Sequence, residues 1–249
     1  MAHPSRTVFK KEIITEFLAP SRKSNKVIIF CKGMPGSPGS SSVLDFYAKK
    51  GFWTFLPRYR GSWESRGKFL KKSPHLDILD VIEELPRGFK DLWSGKKVRL
   101  DPKDIYVFGA SFGGSAALLA SKDRRVTKVV VAAPVVDWVK DSKVEPLDWL
   151  EKTTKEAFGE AYRFQHKDWQ KLSKGNFYNP WHEKELIPGE KVLVFHAKDD
   201  ELVPYEPTEK FADIAGAKLI SYKHGGHYGV ASFIEPKFYN HIRKFLAQK

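Results

Sequence analysis

The sequence predicts an α/β fold, a mostly parallel central sheet with helices on both faces, and three observations lead there. Apolar, β-rich runs alternate along the chain with amphipathic helical stretches, the order that a parallel sheet with crossover helices requires. Runs such as VIIFC and IYVFG are apolar without a break, which fits strands covered on both faces. The 249 residues, 41% of them hydrophobic and 14% aromatic, are enough for a full core in a single α/β domain spanning residues 1–249.

The elements follow in chain order. Residues 6–18 read as an N-terminal hairpin. Residues 27–31 (VIIFC) are a strand, and 41–50 the helix after it. Residues 52–56 (FWTFL) form the next strand, and 76–93 a long amphipathic helix. The run 105–109 (IYVFG) is a strand followed at once by the helix-forming SFGGSAALLAS of 111–121, with the helix itself expected over 112–121. Residues 126–132 and 191–195 are strands. A helix over 208–215, a strand over 217–222 and a helix over 236–247 complete the pattern.

One connection is too long. More than fifty residues separate Pro134 from the strand at Lys191, where a plain crossover needs about a dozen. The stretch about 136–186 holds Trp138, Trp149, Trp169 and Trp181, four of the seven tryptophans, with Phe158, Tyr162, Phe164, Phe177 and Tyr178. Such aromatic surface must pack on its own helices or on the top of the sheet, so a small helical cap insertion is expected there.

Charge and composition exclude other classes. The single Cys31 cannot pair within the chain, and no apolar run reaches the roughly 18 residues of a membrane span. The N-terminal MAHPSRTVFKKEIITEF lacks the apolar core of a secretory signal, so a cytoplasmic protein is expected. The formal net charge is +13, and residues 1–72 hold 15 basic against 4 acidic side chains. That asymmetry reads as a basic solvated face or as a field drawing in anions. The organised basic and aromatic motifs of nucleic-acid binders are absent, so no specific nucleic-acid partner is expected.

The strongest local signal is Gly109-Ala110-Ser111-Phe112-Gly113, a G-x-S-x-G between the strand IYVF and a helix. A serine at such a tip needs a strained backbone, and glycines on either side let strand and helix approach closely. The plainer reading is a glycine-rich turn at a helix N-terminus. A serine hydroxyl needs a base, and the base needs an orienting carboxylate. The segment KVLVFHAKDDELVP puts Asp199 and Asp200 just past a strand, where open α/β sheets place functional groups, and KHGGHYG puts His224 and His227 past the next one. Asp137, in AAPVVDW, likewise follows the preceding strand. His3, His75, His166, His182 and His241 show no ligand spacing, so no metal and no other cofactor is expected.

These segments carry a resemblance that covers nearly the whole chain. GASFGG, KGMPGS, RYRGSWESRG, HAKDDELVP and GGHYG together are similar to the α/β-hydrolase superfamily, above all its prolyl-oligopeptidase and dienelactone-hydrolase-like branches. The resemblance implies the α/β-hydrolase fold. It selects Asp200, which stands in a D-x-x-V-P setting, over Asp199, and His227, which follows a Gly-Gly pair, over His224. It also places His196 where the family often has a histidine before the acid turn. The implied oxyanion donors are the backbone N–H groups of Phe112 and of Met34, since Pro35 has none. Lys32 stands where resembling proteins have histidine, adding a cation near the site, and Trp63 replaces a common glycine. Lys32, Trp63 and Arg60 are therefore candidate substrate contacts, with Arg60 also suited to bracing its loop.

The implied activity is a serine hydrolase of the carboxylesterase or aminopeptidase-like kind, acting through an acyl-enzyme on a small-molecule or short-peptide acyl substrate with Ser111, Asp200 and His227. The same geometry would serve an acyltransferase or perhydrolase, and a non-catalytic binding protein on the same fold is the alternative class.

Overall fold

A computed structural model describes residues 3–140 and 142–248. The chain opens with the antiparallel strands β1 (Ser5–Phe9) and β2 (Ile13–Leu18), and Lys10 and Lys11 turn between them at positive φ. Then come β3 (Lys26–Cys31), α1 (Ser41–Lys49), β4 (Trp53–Pro57) and α2 (His75–Glu84). A two-stranded ribbon, β5 (Phe89–Lys90) and β6 (Lys97–Val98), precedes β7 (Asp104–Ala110), α3 (Phe112–Ala120) and β8 (Val126–Ala132). After α4 (Leu147–Phe158) and α5 (His166–Trp169) the chain returns as β9 (Val192–Ala197), α6 (Tyr205–Ala215), β10 (Lys218–Tyr222) and α7 (Pro236–Ala247).

Eight strands make one sheet in the order β1-β2-β4-β3-β7-β8-β9-β10. Six neighbouring strands, from β4 to β10, are parallel, and β2 runs against both of its neighbours. Period-two alternation sorts each strand between two cores. Val27, Ile29 and Cys31 of β3 face one core with α2, α3 and Phe211 of α6. Ile28 and Phe30 face the other, with α1 and α7. Where both faces of a strand are covered it needs no polar positions, and each fully buried Ile or Phe contributes roughly 1.5–3 kcal/mol.

The expected helix over 76–93 is the main departure. Helix α2 stops at Glu84, followed by a single 3-10 turn, Leu85–Arg87. Pro86 removes an N–H and its ring opposes a further α-turn, and Gly88 at φ +82° swings the chain away. Phe89 can then leave the helix path and pack on Phe9, Phe17 and Phe55 at centroid distances of 5.5, 5.1 and 5.6 Å. Elsewhere the ends move by one to three residues, the largest shift being α6, which begins at Tyr205 with Pro207 in its first turn.

The 136–186 stretch carries α4, α5 and three 3-10 turns. Its aromatic residues pack down on the residue after Ser111: the Phe112 ring meets Trp138 at 5.7 Å and Tyr178 at 4.8 Å, and Phe69 links Phe112 to Tyr162. Among the described residues no helix is long and apolar enough to cross a membrane.

Candidate active site

Ser111 occupies the step from β7 to α3 at φ +53° and ψ −125°, outside the regions that L-residues favour. The step is possible because backbone packs on backbone. A Cβ at Gly109 would collide with the Gly113 carbonyl, and one at Gly113 with the Cys31 carbonyl of β3. Hydrogen bonds hold the tip: Ser111 N–H donates to the Ala132 carbonyl at 3.0 Å, and its own carbonyl accepts from Gly114 N at 2.9 Å and Val135 N at 3.2 Å. Phe112 is the first residue of α3, so its N–H precedes the intrahelical ladder. Tyr178 fixes that residue from above, its hydroxyl donating to the Phe112 carbonyl at 2.6 Å.

The loop after β3 lies against the serine. A Cβ on Gly33 would stand 3.1 Å from Ser111 Cβ and 3.5 Å from Oγ. Tyr59 donates its hydroxyl to the Lys32 carbonyl at 3.1 Å, and Gly36 N–H donates to the Tyr162 hydroxyl at 3.2 Å, so two tyrosines clamp the loop. Lys32 turns its ammonium back onto the same loop, donating to the Ser37 and Gly39 carbonyls at 2.5 and 2.9 Å. Burial lowers its pKa, and those two carbonyls replace the lost water.

Asp200 and His227 meet at the same end of the sheet, on the loops following β9 and β10. His227 Nδ1–H donates to Asp200 Oδ2 at 2.9 Å. The carboxylate also accepts from Leu202 N and Val203 N, each at 3.0 Å to Oδ1. His196, fully buried on β9, puts Nε2 3.2 Å from Asp200 Oδ2 and 3.1 Å from the Val203 carbonyl. Nε2 therefore carries the proton. Burial works against the charge on Asp200, but the hydrogen bonds from His196, His227 and the Val203 amide outweigh it and hold the carboxyl well below the usual range.

The other candidates have different work. Asp199 accepts from the amides of Gly225 at 3.2 Å and Gly226 at 2.9 Å, bracing the loop that carries His227. His224 is mostly exposed, 3.4 Å from Asp199. Asp137 accepts from Val139 N at 3.1 Å and Asn179 Nδ2 at 2.9 Å, tying the start of the 136–186 stretch to its end.

Ser111 forms part of an open cleft. Met34, Val135, Trp138 and Leu150 give it apolar walls, and Leu202 and Val203, whose amides hold Asp200, line another side. Lys32, Arg60 and Trp63 lie outside this cleft. Lys32 and Trp63 border a neighbouring recess of about 300 Å³ beside Tyr162, and Trp63 Nε1 donates to the Gly36 carbonyl at 3.1 Å. Arg60 is held by the carboxylates of Glu12, Asp77 and Asp80. The sequence reading missed the tyrosine clamps and the link from Asp199 to the glycine pair. Tyr162 and Tyr178 were visible as aromatic residues of the inserted stretch, but nothing local marks where their hydroxyls point.

Comparison with known proteins agrees with this architecture. The lysophosphatidylserine lipase ABHD12 of Danio rerio is 22% identical over 206 residues, 78% of this chain and 48% of that protein. The acylaminoacyl peptidase of Pyrococcus horikoshii superposes with a TM-score of 0.68 at 18% identity, over 99% of this chain and 41% of the peptidase. An esterase of Pyrococcus furiosus superposes with a TM-score of 0.70 at 17% identity, covering 98% of this chain and 90% of the esterase. These structures share the α/β-hydrolase fold, and the chain spans less than half the length of the lipase and of the peptidase. The model of the prolyl oligopeptidase family matches residues 38–249, and the chain belongs to that family.

Proposed function

We propose that the protein is a serine hydrolase that cleaves an ester or amide with an apolar acyl group through an acyl-enzyme. Ser111 Oγ attacks the carbonyl carbon while His227 Nε2 takes the hydroxyl proton. Asp200 keeps Nδ1–H pointed at itself, which leaves Nε2 bare to act as base. The N–H groups of Phe112 and Met34 receive the oxyanion. His227 then gives the proton to the leaving alcohol or amine, and water repeats the sequence to release the acid. The chain works as one catalytic domain, with the 136–186 stretch as a cap over the acyl cleft.

The observation that carries this reading is the pairing of Asp200 with His227 at the sheet end where Ser111 sits strained in its turn. The apolar walls of the cleft favour an apolar acyl group, and family membership supports hydrolase chemistry. The test is intact-mass analysis and peptide mapping after exposure to a fluorophosphonate. A single adduct on Ser111, absent from Ser111→Ala and from His227→Ala, is expected. No adduct on folded wild-type protein would turn the reading toward a binding protein on a hydrolase fold.

A further inference from the structure

The ribbon β5–β6 presents a feature that the candidate active site does not use. Its base is firmly seated, since Phe89 packs among Phe9, Phe17 and Phe55. Its tip does the reverse. Leu92 is 51% and Trp93 72% exposed, and among the described residues Trp93 is the most exposed of the large apolar side chains. An exposed tryptophan on a mobile loop would mean little, but this one is held in place. Asp91 accepts from Trp93 N at 2.9 Å and from Ser94 Oγ at 2.7 Å. Gly95 N–H returns to the Asp91 carbonyl at 2.8 Å, and Leu92 N–H donates to the Arg6 carbonyl of β1 at 2.8 Å. The turn is thus built to point two apolar side chains at the surroundings.

The charges around it are equally specific. Lys90 and Lys97 stand directly opposite each other in the ribbon, and Lys96 is next in the chain. Like charges placed opposite in an antiparallel pair are destabilising. All three side chains are exposed, and none of their ammonium groups has an ion-pair partner among the described residues. The carboxylate inside the turn, Asp91, is occupied by the turn itself, and nearby Asp101 is paired with Lys103 at 2.8 Å. An apolar tip flanked by three uncompensated cations matches a flat surface that is apolar inside and anionic outside. Tryptophan suits the boundary between those layers, and each lysine gains from an anionic headgroup layer.

We propose that this tip docks the protein on an anionic lipid bilayer, with Leu92 and Trp93 entering the headgroup region and Lys90, Lys96 and Lys97 meeting the lipid anions. The proposal does not depend on the reading of Ser111. The test is co-sedimentation of the full chain with vesicles of phosphatidylcholine mixed with phosphatidylglycerol, beside vesicles of phosphatidylcholine alone. Binding to the mixed vesicles only, weakening as salt rises, is expected. The double variant Leu92→Ser/Trp93→Ser should lose at least about tenfold in affinity, and Lys90→Ala/Lys96→Ala/Lys97→Ala about a hundredfold, with far-ultraviolet circular dichroism unchanged in both. Lipids carrying a brominated acyl chain should quench tryptophan emission in the wild type and much less in Trp93→Phe. Failure of the wild type to bind mixed vesicles, or binding undiminished in the tip variants, would overturn the proposal. Duplex DNA bound more tightly than vesicles, and bound equally well by Leu92→Ser/Trp93→Ser, would overturn it in favour of a polyanion site.

Discussion

Asp200 Oδ2 and His227 Nδ1 are 2.9 Å apart, joining the loop that follows β9 to the loop that follows β10. In a parallel sheet both loops leave from the same end, the end at which β7 delivers Ser111, so three residues far apart in sequence come to one end of the sheet. With Asp200→Asn the amide can offer its N–H to His227 and favour the wrong tautomer. Turnover of a test ester should fall about 10³- to 10⁴-fold with the fold kept. Steady-state kinetics with circular dichroism checks it.

The same substitution has a signature in acid. The folded carboxyl of Asp200 titrates below its unfolded range, so in that window the unfolded chain binds more protons. Its stabilising contribution is complete above about pH 4 and is lost as pH falls further. Thermal unfolding midpoints of the wild type should therefore drop more steeply below about pH 4 than those of Asp200→Asn. Parallel curves would remove Asp200 as a source of acid lability.

His196 should act through Asp200. His196→Leu deletes a buried donor shared by the Asp200 carboxylate and the Val203 carbonyl. The expected loss is about 1–3 kcal/mol of stability, with acid unfolding beginning at a higher pH. His196→Gln, which keeps an N–H, should recover part of both. A variant as stable as the wild type across the acid range would show the contact to be idle.

Much of this was legible in the sequence because it is local. The G-x-S-x-G turn, the strand before it and the helix after it are set by neighbouring residues and by glycines at which a Cβ would collide, whatever the rest of the chain does. The sheet was legible for the same reason: six β-rich runs lie within three residues of strands β3, β4, β7, β8, β9 and β10. The helix over 76–93 stops at Glu84 because Pro86 and Gly88 end it, although the apolar spacing continues past them. Side-chain direction in loops was beyond reach. Lys32 folds back on its own loop and Trp63 bonds the Gly36 carbonyl, outcomes decided by Tyr59 and Tyr162 arriving from distant positions.

Two glycines should fail in different ways. Gly33→Ala puts a methyl 3.1 Å from Ser111 Cβ and 3.5 Å from Oγ, contacts that a shift of a few tenths of an ångström would relieve, so it should crowd the Ser111 hydroxyl more than it disturbs the fold. Turnover should fall at least about tenfold with the unfolding midpoint close to wild type. Gly113→Ala drives a methyl into the Cys31 carbonyl and should leave little folded protein. Expression yield and ester hydrolysis, measured on both, separate the cases.

Asp199 is a test of loop order apart from stability. Its carboxylate is at the surface, yet it holds the Gly225 and Gly226 amides two and one residues before His227. Asp199→Ala should leave the unfolding midpoint nearly unchanged and lower kcat about ten- to hundredfold by letting the imidazole wander. Unchanged kcat would mean that the loop is held by other contacts.

The cleft itself can be tested with two neighbours on α4. Leu150 is buried and lines the cleft beside Ser111, whereas Trp149, one residue earlier, is 45% exposed and does not. Leu150→Ala removes volume from the cleft wall, so activity across a series of p-nitrophenyl esters should shift toward longer acyl chains, at a loss of about 2–5 kcal/mol in stability. Trp149→Ala should leave the chain-length profile where it was and change stability by less than about 0.5 kcal/mol. The contrast matters because both substitutions shorten a large apolar side chain on one helical turn, and only position relative to the cleft differs. Should Trp149→Ala move the profile as far as Leu150→Ala, the acyl group would have to lie over the outer face of α4 and not in the cleft at Ser111.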